Sequence, residues 1–433
     1  MNPQVHTLAN GLTVILVDTA AFPTITTLLL VGAGSRYERE DNNGIAHFFE
    51  HMVFKGSKKY PSSLTISSVI EGLGGVFNAF TSKDSTGYWI KSTTDNFEEV
   101  IDVLSDMVLN PLLLDEEIER EKGVIKEEIN LYEDTPYRSV GELFEGLLYN
   151  GNPLGFDITG TKKTVSSFTR QTFIDYISEL YRPTNAVLVV AGGLEKTRGE
   201  KIRSHNYLST IEEKFKDWQD GKKAIFEPVV EKQDKPQLLV KHKKTEQAHF
   251  CLGFRTFSFN NQRKYALSVL ATILGGGMSS RLFTEVRERR GLCYYISTGR
   301  ELYADVGNVV TQAGVTNNLD KVRESIKVIL DEHKKIARGE VRSEEINNAK
   351  ELLKGRLLIS MEDSSHIASF LGGRKLLENE PETPEDSIKK IQAVKAEEII
   401  ELAQEIFKPE KLNFAIIGAF ENKSDFKDTL ELW

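Results

Sequence analysis

Phe173-Ile174-Asp175-Tyr176-Ile177-Ser178-Glu179-Leu180-Tyr181-Arg182-Pro183, followed by Leu188-Val189-Val190-Ala191-Gly192-Gly193-Leu194, has a counterpart 226 residues further on. There Ile399-Ile400-Glu401-Leu402-Ala403-Gln404-Glu405-Ile406-Phe407-Lys408-Pro409 leads into Phe414-Ala415-Ile416-Ile417-Gly418-Ala419-Phe420. In both copies apolar residues recur at helical spacing, a proline stops the helix, and a short apolar run ending at glycine reads as a strand. A second match, offset by 220, lays Ile45-Ala46-His47-Phe48-Phe49-Glu50-His51-Met52 over Tyr265-Ala266-Leu267-Ser268-Val269-Leu270-Ala271-Thr272. It also sets Gly56 on Gly276, so both helices are expected to end at a glycine. The simplest account is a duplicated domain, and 433 residues is also more than one hydrophobic core usually serves.

Residues 196–236 are dense in charge and carry Gly221, Pro228 and Pro236, as suits a linker preceded by a surface helix near 209–218. The expected division is therefore an N-terminal domain at 1–218, a linker at 219–236 and a C-terminal domain at 237–433. The alternation over 5–17 around Asn10-Gly11 predicts a hairpin, and periodicity predicts long helices at 96–108, 115–133, 319–338 and 343–361. Strands and helices group without strict alternation. The predicted class is α+β, two homologous domains that each pack helices on a mixed or antiparallel sheet.

Composition narrows the partners. With 40% hydrophobic and 27% charged residues the chain resembles ordinary globular proteins, and its longest apolar runs are far below the ~20 residues of a membrane span. Met1-Asn2-Pro3-Gln4-Val5-His6 lacks the features of a secretory or transit signal, so a cytoplasmic protein without a membrane partner is expected. A net charge of -9 argues against nucleic acid. Cys251 and Cys293 read as reduced, buried thiols, and no G-x-S-x-G elbow occurs, so nucleophilic catalysis has little support.

The pentad His47-Phe48-Phe49-Glu50-His51 carries the chemistry. Residues at i and i+4 lie about 40° apart around a helix, so His47 and His51 can present two imidazole nitrogens to one metal ion. Glu50 lies about 60° to the other side of His47, where it can take a proton from water activated by the ion. With no cysteine nearby, the third ligand should be a histidine or a carboxylate. On the predicted helix 115–133, Ile118, Ile125, Ile129 and Tyr132 form an apolar stripe; Glu121 and Glu128 lie at its edge and Glu127 faces water. Glu121 and Glu128 stand about 10.5 Å apart along the axis, so one should ligate and the other support it.

This pattern resembles the pitrilysin/insulinase-type zinc metallopeptidases, in particular the branch with mitochondrial processing peptidase and its bacterial relatives. The resemblance implies one zinc ion per chain held by His47, His51 and Glu128, with Glu50 as general base and Glu121 as a supporting carboxylate. Gly75, Val76, Phe77, Asn78 and Ala79 are similar to the family's edge strand, on which a substrate peptide docks. Arg287 and Tyr294 are similar to its C-terminal pair, which holds the substrate carbonyl. The family's arrangement of one active and one degenerate domain accords with Leu267, Leu270 and Ala271 standing where the metal residues would be. It further implies a clamshell, peptide substrates that are short or unfolded, and a self-sufficient homodimer, because both residue sets occur in one chain. The rivals are a catalytically silent scaffold subunit of the same fold and a maturation protease dedicated to one partner peptide.

Overall fold

A computed structural model describes residues 1–19, 22–194, 207–377 and 382–430; residues 196–206 of the charged stretch lie outside them. The first sheet contains β1 (Gln4–Thr7), β2 (Thr13–Asp18), β3 (Thr24–Val31), β4 (Val76–Thr81), β5 (Thr86–Thr93) and β6 (Ala186–Gly192), in the spatial order β1-β2-β6-β3-β5-β4. The second contains β7 (Gln237–His242), β8 (Gln247–Phe257), β9 (Cys293–Leu302), β10 (Val306–Thr316) and β11 (Leu412–Gly418), in the order β7-β11-β8-β10-β9.

Leaving β1 aside, the two orders are the same. In each the first pair is parallel, β2 with β6 and β7 with β11, and every other pairing is antiparallel. The helix Arg170–Leu180 and β6 are displaced by 226 residues at both ends from the helix Ala396–Ile406 and β11. The duplication is thus present in topology as well as in sequence.

The predicted hairpin forms, with Thr7 opposite Thr13. The four long helices occur at Phe97–Leu109, Asp115–Glu133, Leu319–Ala337 and Ser343–Ser360. Two expectations need correction. The helix read as a surface element is Tyr207–Phe215, and Tyr207, Ile211 and Phe215 are buried in the first core, since the charged residues around them mask one apolar face. Nor do the aligned glycines act as matching stops. The helix Ile45–Val53 ends on Phe54, before Gly56, whereas Gly276 caps Lys264–Gly275 without a left-handed φ.

By packing, the chain forms two units of three segments each: 1–129, 156–227 and 358–385 in the first, and 130–155, 228–357 and 386–433 in the second. Along the chain, residues 219–236 come after β6 and before β7, but two helices do not follow the contiguous division. Central strands β3 and β6 are buried along almost their whole length because both faces are covered, and β6 is apolar up to its final glycine. Leu29, Val31, Leu188 and Val190 face one core cluster, while Leu28, Leu30, Val187 and Val189 face another with Ile367, Ala368 and Leu371. That second cover is the helix Ser364–Leu377, which comes from late in the chain. A Cβ on its Gly372 would stand 3.1 Å from Val189, so the helix lies close to the sheet. In the second unit the helix Pro136–Leu148, from early in the chain, sets Val140, Phe144 and Leu148 against Cys251, Ala415 and Ile417 of β8 and β11.

Candidate metal centre

The helix Ile45–Val53 has one apolar side, on which Ile45, Ala46, Phe48, Phe49, Met52 and Val53 are fully buried. Phe48 packs on Phe168 and Phe173, and Phe49 on Tyr176 and Tyr181. Its start is unusual: Gly44 adopts φ 95° and no N-cap side chain serves the first turn. A Cβ at Gly44 would meet the Thr159 carbonyl oxygen at 2.7 Å, so both the backbone angle and the space favour glycine. Glu38 takes over the capping. Its Oε2 accepts from the Gly44 N–H at 2.8 Å and from Asn43 Nδ2 at 2.9 Å, and its Oε1 accepts from the Ala46 N–H at 2.9 Å. A carboxylate here satisfies orphan donors and complements the positive end of the helix dipole.

His47 and His51 lie side by side, with ring centroids 4.6 Å apart. Glu128 reaches them from the helix Asp115–Glu133, whose Ile118, Ile125 and Ile129 are buried. Its Oε2 is 3.6 Å from His47 Nε2 and 3.7 Å from His51 Nε2, and the ligand atoms of the three residues lie within 4.8 Å of one another. These separations are too long for hydrogen bonds. They approach the roughly 3.4 Å edge of a tetrahedron whose ligands stand about 2.1 Å from a central zinc ion. The donor set of two imidazoles and one carboxylate suits such an ion.

Glu121 lies two turns earlier on the same helix and is almost fully buried. Its Oε1 is 2.8 Å from His51 Nδ1, and its Oε2 is 2.5 Å from Lys55 Nζ. Burial pushes this carboxyl up, but the His51 and Lys55 hydrogen bonds and charges outweigh it and hold it below the ordinary value. An ionised Glu121 therefore accepts from Nδ1, which leaves the Nε2 lone pair of His51 directed to the shared centre. Glu127 is exposed.

Glu50 is partly buried, and its Oε2 accepts a 2.6 Å hydrogen bond from the Thr81 hydroxyl. Burial raises its pKa above the ordinary value, and the Glu128 charge adds to this, against the pull of Thr81 and His51. Thr81 ends β4, the outer strand of its sheet, which begins at Val76 directly after Gly75 and carries Phe77, Asn78 and Ala79. Thr81, Lys55 and Glu38 were given no role from sequence. Thr81 shares the parity of Phe77 and Ala79, which is the one signal that could have pointed to it.

In the second unit Arg287 lies on a π-helical turn, Phe283–Glu288, of a kind often found at functional sites. Its guanidinium stands 4.7 Å from the Phe283 ring centroid and 5.9 Å from that of Tyr294, an exposed residue of the outer strand β9. These two residues are brought together. Leu267, Leu270 and Ala271 are buried in the second core. Cys251 and Cys293 are free and buried. Burial pushes both thiols up, Cys293 to about 11, which makes them poor nucleophiles. His249 makes its hydrogen bond with the Tyr295 hydroxyl, at 2.9 Å.

No helix among the described residues is long and apolar enough to cross a membrane. Residues 13–162 match the family model described as insulinase, peptidase family M16, and residues 167–353 match the model of the M16 inactive domain. A Bacillus subtilis protein named as an uncharacterized zinc protease is 34% identical over 407 residues, 93% of this chain and 95% of its own length. A similarly named Streptomyces coelicolor protein is 30% identical over 96% of this chain and 90% of its own. Among solved structures, a protease from Helicobacter pylori superposes with a TM-score of 0.87 at 23% identity, covering 96% of this chain and 99% of that one. With family models over most of its length and zinc proteases as its relatives, this chain belongs to the insulinase family of peptidases, family M16.

Proposed function

We propose that the chain is a zinc-dependent endopeptidase for short or unfolded peptides, with one zinc ion per chain held by His47, His51 and Glu128. The supporting observation is the convergence of three ligand atoms beside a partly buried carboxylate, Glu50. Three protein ligands suit a catalytic rather than a structural site, because one position stays open. Zinc supplies a Lewis acid there, acidifying water and polarising the scissile carbonyl. Glu50 takes the proton from water and gives it to the leaving amine, a task that suits a carboxyl raised above its ordinary value. Glu121 orients His51. Gly75, Val76, Phe77, Asn78 and Ala79 take the peptide as an added strand, and Arg287 and Tyr294 donate hydrogen bonds to the developing oxyanion.

Two homologous domains at 1–218 and 237–433, joined at 219–236, form the working chain. A cytoplasmic homodimer fits a chain that carries both residue sets. The intact ligand trio counts against a silent scaffold.

Glu50→Gln decides the matter. The variant is expected to keep one zinc by atomic absorption and to lose cleavage of a peptide library by about 10²- to 10⁴-fold; chelation should silence the wild type. Full activity of Glu50→Gln, or chelator-insensitive cleavage, overturns the reading.

A further inference from the structure

We propose that Thr81 is a positioning residue for Glu50: its hydroxyl ties one carboxylate oxygen to β4 and leaves the other to carry the proton taken from water. The inference rests on the peptidase reading and assigns separate tasks to the two oxygens of its general base.

Direction comes first. Thr81 Oγ1 lies 2.6 Å from Glu50 Oε2. An ionised carboxylate only accepts, so the hydroxyl donates, and a bond of this kind is stronger than one between neutral groups. The nearest competitor is the Thr86 hydroxyl, 3.4 Å from that of Thr81. Its own proton goes to the Ala33 carbonyl oxygen at 3.0 Å, which leaves Thr81 committed to Glu50.

Among the described residues no other protein group hydrogen-bonds Glu50, so Oε1 is the oxygen open to solvent chemistry. When Glu50 acquires a proton, Oε2 is already engaged as an acceptor. The proton therefore resides on Oε1, from which it can be returned without breaking the tether. Glu50 can exchange protons while its carboxylate stays in place.

The tether also joins two parts of the reaction. β4 pairs on one side with β5, from Val76 opposite Lys91 to Thr81 opposite Thr86, and its other side is the edge of the sheet. Alternation puts Thr81 on the face of Ala79 and Phe77, whose ring lies 5.5 Å from that of Phe54 just after the histidine helix. Phe80 belongs to the opposite face, packed with the Ser364–Leu377 side of the sheet. The strand assigned to dock the peptide is therefore the one that holds the base. Misplacing a reacting group by about 1 Å costs about 100-fold in rate, which sets the stake of this one hydroxyl.

The test compares Thr81→Val, which keeps the shape and loses the hydroxyl, with Thr81→Ser, which keeps the hydroxyl. Both are measured beside Glu50→Gln on one fluorogenic peptide. Thr81→Val is expected to lose about 10- to 100-fold in kcat, with KM, zinc content and melting temperature close to wild type, and Thr81→Ser to recover most of the loss. In a crystal structure of Thr81→Val the Glu50 carboxylate should leave its wild-type position. Wild-type kcat in Thr81→Val overturns the proposal. So does a loss in Thr81→Ser equal to that in Thr81→Val, or a Glu50 carboxylate that has not moved. Activity of Glu50→Gln equal to wild type overturns instead the peptidase reading, and the crystal comparison then decides the tether by itself.

Discussion

Glu38 shows how one residue outside the histidine helix can hold its first turn. It is 2% exposed, and burial pushes its carboxyl up to about 7 despite three hydrogen bonds and the nearby Lys83 charge. A group whose pKa rises on folding binds its proton more tightly in the folded state. Its contribution to stability is therefore complete below the ordinary carboxylate value of 4.5 and is lost as pH climbs through about 7. In the metal-free protein, the stability of wild type relative to Glu38→Gln is expected to fall across this interval, read from urea midpoints at each pH. A flat difference would show that Glu38 is not buried as a titrating cap. Sequence distance explains why it was missed. His47 and His51 stand one helical turn apart, so their shared face is legible, whereas Glu38 reaches the same helix through a loop whose path no periodicity describes.

At the scale of the element, β4 is the informative case. The Ala79 N–H hydrogen-bonds the Asn78 side chain at 2.9 Å, so it points away from β5 and lies on the edge that a peptide would use. Proline is tolerated where the lost N–H faces outward on an edge strand. Ala79→Pro is expected to leave the fold in place and raise KM for peptides by about three- to ten-fold, the worth of one main-chain hydrogen bond. An unchanged KM would remove this strand from substrate docking. The family resemblance named this segment as an edge strand; no local pattern carries that position, because it depends on β5 being occupied on its other side by β3, far apart in the chain.

At the scale of the whole chain, each unit takes one helix from the other half of the sequence. Thr26 and Ser364 hydroxyls meet at 2.8 Å and Lys91 pairs with Asp363 at 3.0 Å, fixing the Ser364–Leu377 helix to the first sheet. Burial of each Ile or Leu contributes about 2 kcal/mol. Removing this helix, with Ile367, Ala368 and Leu371, therefore takes several kcal/mol from a total that is typically about 5–15. The fragment 1–236 lacks it, and the fragment 237–433 lacks the Pro136–Leu148 helix. Each fragment alone is expected to melt without a cooperative transition and to bind a hydrophobic dye, and the co-expressed pair to recover a sharp melt. A cooperative, native-like melt of 1–236 by itself would refute this.

What the sequence determined is local: the 226-residue repeat, the long helices and the two-histidine pentad each follow from the period of an element and its stop signals. Helix geometry left Glu121 and Glu128 open and only the family resemblance named Glu128, which the fold sets beside the histidines. The tertiary structure alone decided where Glu50 is tethered and which helix covers which sheet. A helical period specifies which face of a segment is apolar. It does not specify which distant face will bury it, because that choice is made by the competition among all apolar surfaces in the folded chain.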